Sequence, residues 1–195
     1  MGATSGLIRR RAARLLLGAT DAGEEVYSPS DWRTHDGQYP VLLVSVPEEH
    51  KTQAGNGTIE FDCLATLRIS CRVEAPADIN DRGAAVAELA IERLELQVLK
   101  TLLGNADFMG PRPGQTGQAI GAFPSIEVQR RHTAEGEQHF VESQIDIQVA
   151  FAQGPEDFYD PDGVELLEID LQANPAVPQA LQGQSASLLV TLPNS

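Results

Sequence analysis

The chain has 195 residues, of which 42% are hydrophobic and 22% are charged. This composition is that of a globular protein, so it excludes a fibrous repeat and a wholly disordered chain. No apolar run approaches the roughly eighteen residues that a membrane-spanning helix needs. The formal net charge of −14 argues against a general nucleic-acid binder, because such proteins gain affinity by neutralising phosphates.

Charge is unevenly distributed along the chain. Residues 1–14 contain four arginines and no acid, whereas residues 132–195 contain 11 acids and no lysine or arginine. A basic head and an acidic tail would let copies attract one another head to tail, although two solvated surfaces are the simpler interpretation. The arginines precede an apolar stretch, as in a signal peptide, but Arg14 interrupts that stretch and argues against secretion.

The first third of the chain predicts a helix and two strands. Apolar residues recur near a helical period over residues 7–19, and residues 25–28 suit a short strand. The continuous apolar run 41–46 predicts a strand that is buried on both faces. Residues 47–60 are polar and contain an Asn-Gly turn signal at Asn56, so we expect a loop there.

The clearest periodicity runs over residues 61–74, where apolar and polar residues alternate with Leu64 as the exception. Alternation over this length predicts a long strand with one buried face. Cys63 and Cys71 fall on that face and lie roughly 26 Å apart along an extended strand. A disulfide needs Cα atoms within about 7 Å. We therefore expect two reduced core cysteines and a reducing compartment.

A long helix is predicted over residues 80–103, with Asp78 or Asn80 as its N-cap. Its apolar residues form two lines, one of Ala87, Ile91, Leu94 and Val98 and the other of Leu89, Leu96, Leu99 and Leu103. Two lines are more than one contact with a sheet requires. The helix is therefore either deeply buried or in contact with a neighbouring subunit.

The rest of the chain predicts a long loop, a hairpin and an extension. Residues 104–122 are rich in Gly and Pro and read as an irregular loop. Two strands, 123–131 and 140–151, flank a turn at 133–136. An acidic connector over 154–164 and two short strands follow, at 166–171 and 187–192.

This order of elements predicts an α+β fold. We expect an antiparallel or mixed sheet with the N-terminal helix and the long helix packed on one side. That domain would span residues 1–151. Residues 152–195 would form an acidic C-terminal β extension, packed on the same domain or on a neighbouring subunit.

No motif of the sequence indicates catalysis. Its glycine clusters lack the spacing of phosphate-binding or dinucleotide-binding loops, and it has no nucleophile elbow. His132 and His139 flank the predicted hairpin and, with Glu135 or Glu137, would make a simple metal site. Exposed histidines at hairpin ends are far commoner. We therefore expect a protein that is not an enzyme and that holds no metal and no cofactor.

Three blocks of the sequence resemble a known family. The first is Ala-Thr-Asp-Ala-Gly at residues 19–23, followed by Val-Tyr at 26–27 and Ser-Pro-Ser-Asp-Trp at 28–32. The second is Gln-Tyr-Pro-Val-Leu-Leu-Val at 38–44, and the third is Thr-Leu-Arg-Ile-Ser-Cys-Arg-Val-Glu at 66–74. In order and spacing, this pattern resembles the tail-terminator proteins of long-tailed bacteriophages, which are minor tail proteins. The resemblance covers about residues 5–151.

The resemblance implies a homohexameric ring in the virion, at the head-proximal end of the tail, assembled in the bacterial cytoplasm. Such a ring caps the tail tube, stops its polymerisation and presents its other face to the head–tail connector. Its partners are other copies of the chain, the tail tube protein and the connector or neck protein. DNA passes through the lumen without specific binding, and no membrane is involved.

The charged clusters, the two long loops and the acidic connector supply the expected contacts between subunits or between rings. These residues are Arg9, Arg10, Arg11, Arg14, His50, Lys51, Asn56, Phe108, Met109, Arg112, Arg130, Arg131, Asp160 and Asp162. Two alternatives stay open. One is another neck or connector protein of the same particle. The other is an enzyme or small-ligand-binding protein, which would show an enclosed pocket with a perturbed acid or base.

Overall fold

A computed structural model describes residues 4–28, 39–55, 57, 59–76, 82–110, 119–135 and 138–158. The chain divides into two units, Met1–Tyr159 and Asp160–Ser195, and every described residue belongs to the first. The predicted strands 166–171 and 187–192 therefore lie outside the described residues.

The described chain contains three α-helices, five strands and one short 3₁₀ turn. In chain order these are α1 Ser5–Leu16, β1 Val26–Tyr27, β2 Val41–Gln53, β3 Phe61–Pro76, α2 Arg82–Leu103, α3 Ala106–Met109, β4 Ile126–Glu135, β5 Gln138–Gln153 and the 3₁₀ turn Pro155–Asp157. The sheet order is β1-β2-β3-β5-β4. β1 runs parallel to β2, and the other neighbours are antiparallel. The predicted α+β fold with a mixed sheet is confirmed.

The helices cover one face of the sheet because that face of each long strand is apolar. In β3 the buried apolar residues are Cys63, Ala65, Leu67, Ile69, Cys71, Val73 and Ala75. Their partners on β5 are buried too, from Val141 to Phe151. α2 packs on β3 and β5, and α1 packs chiefly on β2. The predicted alternation is confirmed, and both cysteines are free and buried.

Local signals explain the ends of α1. The Thr4 hydroxyl accepts a hydrogen bond from the Leu7 N–H, as an N-cap does. After the helix, Gly18 adopts a φ of 69°, which a residue with a Cβ rarely tolerates. The helix ends three residues before the predicted limit at residue 19. The N-caps expected for α2, Asp78 and Asn80, lie outside the described residues.

Strands β2 and β4 extend well beyond their predicted ends. β2 continues to Gln53, so the first half of the predicted loop 47–60 is strand. Its polar residues pair with β3 beyond a bulge between Ser45 and Glu48, and most stay exposed. A strand with so little burial has no apolar period to reveal it. Likewise β4 continues to Glu135, which moves the hairpin turn toward β5.

Part of the predicted irregular loop 104–122 is regular structure. It contains α3, where the Asn105 side chain accepts a hydrogen bond from the Asp107 N–H. Phe108 is fully buried and stacks on Phe123, with ring centroids 5.9 Å apart. The expectation that Phe108 contacts another subunit was therefore wrong, because its side chain belongs to the core. Arg112 lies outside the described residues.

Candidate subunit interface

The outer side of α2 carries an exposed line of large apolar side chains. Val86, Leu89, Leu96 and Leu103 are exposed by 57%, 67%, 52% and 36%. We call these four residues the outer apolar stripe. The other predicted line, from Ala87 to Val98, is buried against the sheet. The deeply buried alternative for this helix is therefore wrong. An aligned group of exposed apolar side chains is typical of a surface that meets another protein.

A second exposed apolar surface lies on β4, which is an edge strand. Ile126 pairs with Ile147 and Val128 with Ile145, so both face the same side as the core residues of β5. Yet Ile126 and Val128 are exposed by 39% and 42%. The helix-facing side of β4 is therefore left partly uncovered beside α2.

Arg130 of β4 connects this strand to α2 through ion pairs. Its guanidinium donates to both carboxylate oxygens of Glu95, with Nε–Oε1 2.8 Å and Nη2–Oε2 2.6 Å. Its Nη1 also donates to Glu88 at 2.8 Å and to Glu92 at 3.3 Å. The bidentate geometry is the strongest form of this ion pair. The guanidinium of Arg130, which was expected at an interface, is therefore already paired with acids of its own subunit.

Glu95 is 7% exposed, and its charge depends on Arg130. Burial would raise the pKa of the Glu95 carboxyl, but the hydrogen bonds of Arg130 and Ser143 and the charge of Arg130 together outweigh burial and lower it below its ordinary value. The same contacts raise the pKa of Arg130. The pair is therefore fully ionised near neutral pH.

The acids on this side of α2 outnumber their partners. We call Glu88, Glu92 and Glu95 the acidic flank, since three carboxylates share Arg130. His132 Nε2 lies 3.5 Å from Glu88 and adds a charge only when protonated. Even with His132 protonated, three carboxylates face two cations, so the flank keeps a negative surplus, and the Glu92 side chain is 49% exposed.

The predicted N-terminal arginines separate into two groups. Arg11 donates to the carbonyl oxygens of Phe108 at 3.2 Å and Gly110 at 3.0 Å, so it ties α1 to α3. Arg10 and Arg14 are exposed, and within the described ranges neither has an acidic partner. Arg9 is half-buried. Two of the four arginines are thus free to meet an acid elsewhere.

The other predicted interface residues are scattered. Lys51 lies 3.4 Å from Glu49 and 5.6 Å from the centroid of the Phe158 ring, while His50 is exposed on the opposite face of β2. Met109 is half-buried in α3. Arg131 is exposed and stands opposite Glu142 on the other face of β4. Three further residues, Asn56, Asp160 and Asp162, lie outside the described residues.

The sheet face opposite α1 and α2 is polar. Arg68 forms two hydrogen bonds of 2.8 Å with Asp146, and Gln148 donates to Thr66 at 2.9 Å. These side chains, with Glu48 and Glu127, line an open hollow of about 350 Å³. Cross-strand pairs of this kind satisfy a solvated sheet face and do not indicate a reaction.

Sequence reasoning missed the acidic flank and the uncovered side of β4. The spacing of Glu88, Glu92 and Glu95 does place them on one side of a helix. Ile126 and Val128 also alternate with polar residues, but nothing local shows that a strand lies at an edge. The metal-site acids Glu135 and Glu137 lie outside the described side chains. The described part of the chain shows no group of three potential metal ligands.

No protein-family model matches the chain, and no curated protein matches it. In the part of the chain that the structure describes, no helix combines the length and apolar character needed to cross a bilayer.

Proposed function

We propose that this chain is a tail-terminator protein of a long-tailed bacteriophage, a structural subunit without catalytic activity. Six copies form a ring that caps the tail tube, stops its polymerisation and presents its other face to the head–tail connector. The ring belongs to the virion, at the head-proximal end of the tail.

One observation carries this proposal: the three sequence blocks that resemble the family are neighbours in the sheet. Val26 of the first block pairs with Leu42 of the second, and Leu42 pairs with Cys71 of the third. Helix, short strand, strand, long strand, long helix and closing hairpin also follow one another in the order that the sequence predicts.

Two further features support a ring. A ring needs two different patches on each subunit, and the outer apolar stripe and the exposed arginines of α1 offer surfaces of different chemistry. The net charge of −14 suits a lumen through which DNA passes, because an acidic wall repels phosphate and does not retain it.

The test uses the full chain and the tail tube protein of its phage. Native mass spectrometry should show a hexamer, and electron microscopy should show that added rings shorten growing tubes and sit at one end of them. The proposal is overturned if tubes grow to the same length with and without the chain. Rings that bind the connector and never the tube would instead indicate a neck protein.

A further inference from the structure

Among the described residues, the helices leave one edge of the sheet uncovered. α1 packs on β2, near the edge formed by β1, and α2 packs on β3 and β5. β4 forms the other edge, and the helix-facing side chains Ile126 and Val128 are exposed there. A helix laid beside α2 over β4 would cover these side chains and continue the layer.

The charges beside this gap specify what fills it. The acidic flank of α2 borders the gap, because Arg130 of β4 reaches all three of its carboxylates. One arginine for three acids leaves a negative surplus, and Glu92 remains half-exposed. The occupant should therefore present arginine or lysine together with some apolar surface.

Helix α1 has this chemistry. Arg10 and Arg14 lie one turn apart on its exposed side and have no acidic partner among the described residues. Leu17, directly after the helix, is 46% exposed. The helix cannot fill the gap of its own subunit, because Asp21, which follows it, binds Arg93 on the side of α2 away from the acidic flank.

We propose that α1 of one subunit lies over β4 of the next, with Arg10 and Arg14 against Glu88 and Glu92. The contact joins two different patches at opposite edges of the sheet, so it is heterologous and propagates around a ring. The proposal rests on the ring function proposed above and names the surfaces that close it.

Cysteine cross-linking tests this geometry directly. Both native cysteines are buried, so single cysteines introduced by Arg14→Cys and Glu92→Cys supply the reactive thiols. An arginine–glutamate pair holds its Cα atoms farther apart than the roughly 7 Å that a disulfide spans, so a short bis-maleimide reagent is used to join the two thiols. Treatment of the double variant with this reagent should give a ladder of covalent multimers up to the closed ring. Each single variant is the control and should give no ladder. A double variant that stops at dimers, or that forms no intersubunit bond within an intact ring, overturns the proposal.

Charge reversal supplies an independent readout. The double variant Arg10→Glu, Arg14→Glu should raise the protein concentration below which the ring dissociates to monomer by about tenfold or more at low salt. The increase should be smaller at high salt. Adding Glu92→Arg should restore assembly in part. Arg82→Glu is the matched control for the single reversal Arg14→Glu, because both make the same charge change and Arg82 lies at the exposed start of α2, where an acid is favourable.

The outcomes separate this inference from the proposed function. If the wild type is a hexamer and no charge reversal weakens it, the proposed ring is retained and the α1–β4 contact is refuted. The charge reversal could also abolish assembly without rescue by Glu92→Arg. If truncation after residue 158 then abolishes assembly too, the acidic C-terminal segment is the partner of the arginines, and the α1–β4 contact is refuted. A wild-type chain that remains monomeric refutes both proposals.

Discussion

Arg130 on the edge strand and Glu95 on the long helix form a bidentate ion pair, 35 residues apart in sequence, with hydrogen bonds of 2.8 and 2.6 Å. The Glu95 side chain is 9% exposed and the Arg130 side chain 32%. The pair therefore fixes the outermost strand to the helix layer, at the border of the proposed contact between subunits.

Removing the arginine should destabilise the subunit. Arg130→Ala leaves Glu95 buried without its partner, and a broken pair of this kind costs about 2–4 kcal/mol. Urea unfolding should show a lower midpoint with little change in slope. Arg131→Ala is the control on the other face of the strand and should cost about 0.5 kcal/mol or less. Equal stability of the two variants would contradict the structural role of Arg130.

The same pair gives a pH dependence. Arg130 holds the pKa of Glu95 below its ordinary value, so the ionised carboxyl stabilises the fold above the ordinary glutamate pKa of about 4.3. That contribution is lost as the pH falls through the folded-state pKa. The stability difference between wild type and Glu95→Gln should therefore be largest near neutral pH and shrink under acid conditions. Unfolding in urea between about pH 3 and pH 7 measures it, and a constant difference would contradict it.

Both cysteines should be unreactive in the folded protein. Burial raises the pKa of the Cys71 thiol far above its ordinary value, and it raises that of Cys63 as well. Thiol labelling should therefore be slow in native buffer and reach two thiols per chain after denaturation, as two free cysteines require. Rapid labelling of either cysteine without denaturant would show that the sheet face is open.

Phe108 should behave as a core residue. It is fully buried and stacks on Phe123, so Phe108→Ala should cost about 3–5 kcal/mol of unfolding free energy. Met109→Ala is the neighbouring control, and it should cost less because Met109 is only half-buried. A Phe108→Ala variant that unfolds like wild type but fails to assemble would restore the interface role that the sequence suggested.

The sequence predicts the buried parts of the fold better than the exposed parts. Residues of β3 between Cys63 and Ala75 alternate because one face meets the helices, and that alternation reveals the strand. The far half of β2 has no such face, so its polar residues predict a loop. Arg130 meets Glu95 only because β4 lies at the edge beside α2, and no local pattern encodes that neighbour. The sequence does not reveal the burial of Phe108 for a related reason, since its partner Phe123 follows it in the chain by 15 residues.

The outer apolar stripe should matter for assembly and not for folding. Leu89 and Leu96 are exposed by 67% and 52%, so Leu89→Glu with Leu96→Glu should change the unfolding free energy of the monomer by about 0.5 kcal/mol or less. If the stripe is covered in the ring, the same variant should lose the hexamer in native mass spectrometry, because two carboxylates would be buried in an apolar contact. Leu94→Ala is the contrasting control. Leu94 is fully buried on the sheet side, and its truncation should cost about 2–5 kcal/mol. A doubly substituted variant that still assembles would show that the stripe faces solvent in the ring, and it would leave the contact over β4 as the surface to test.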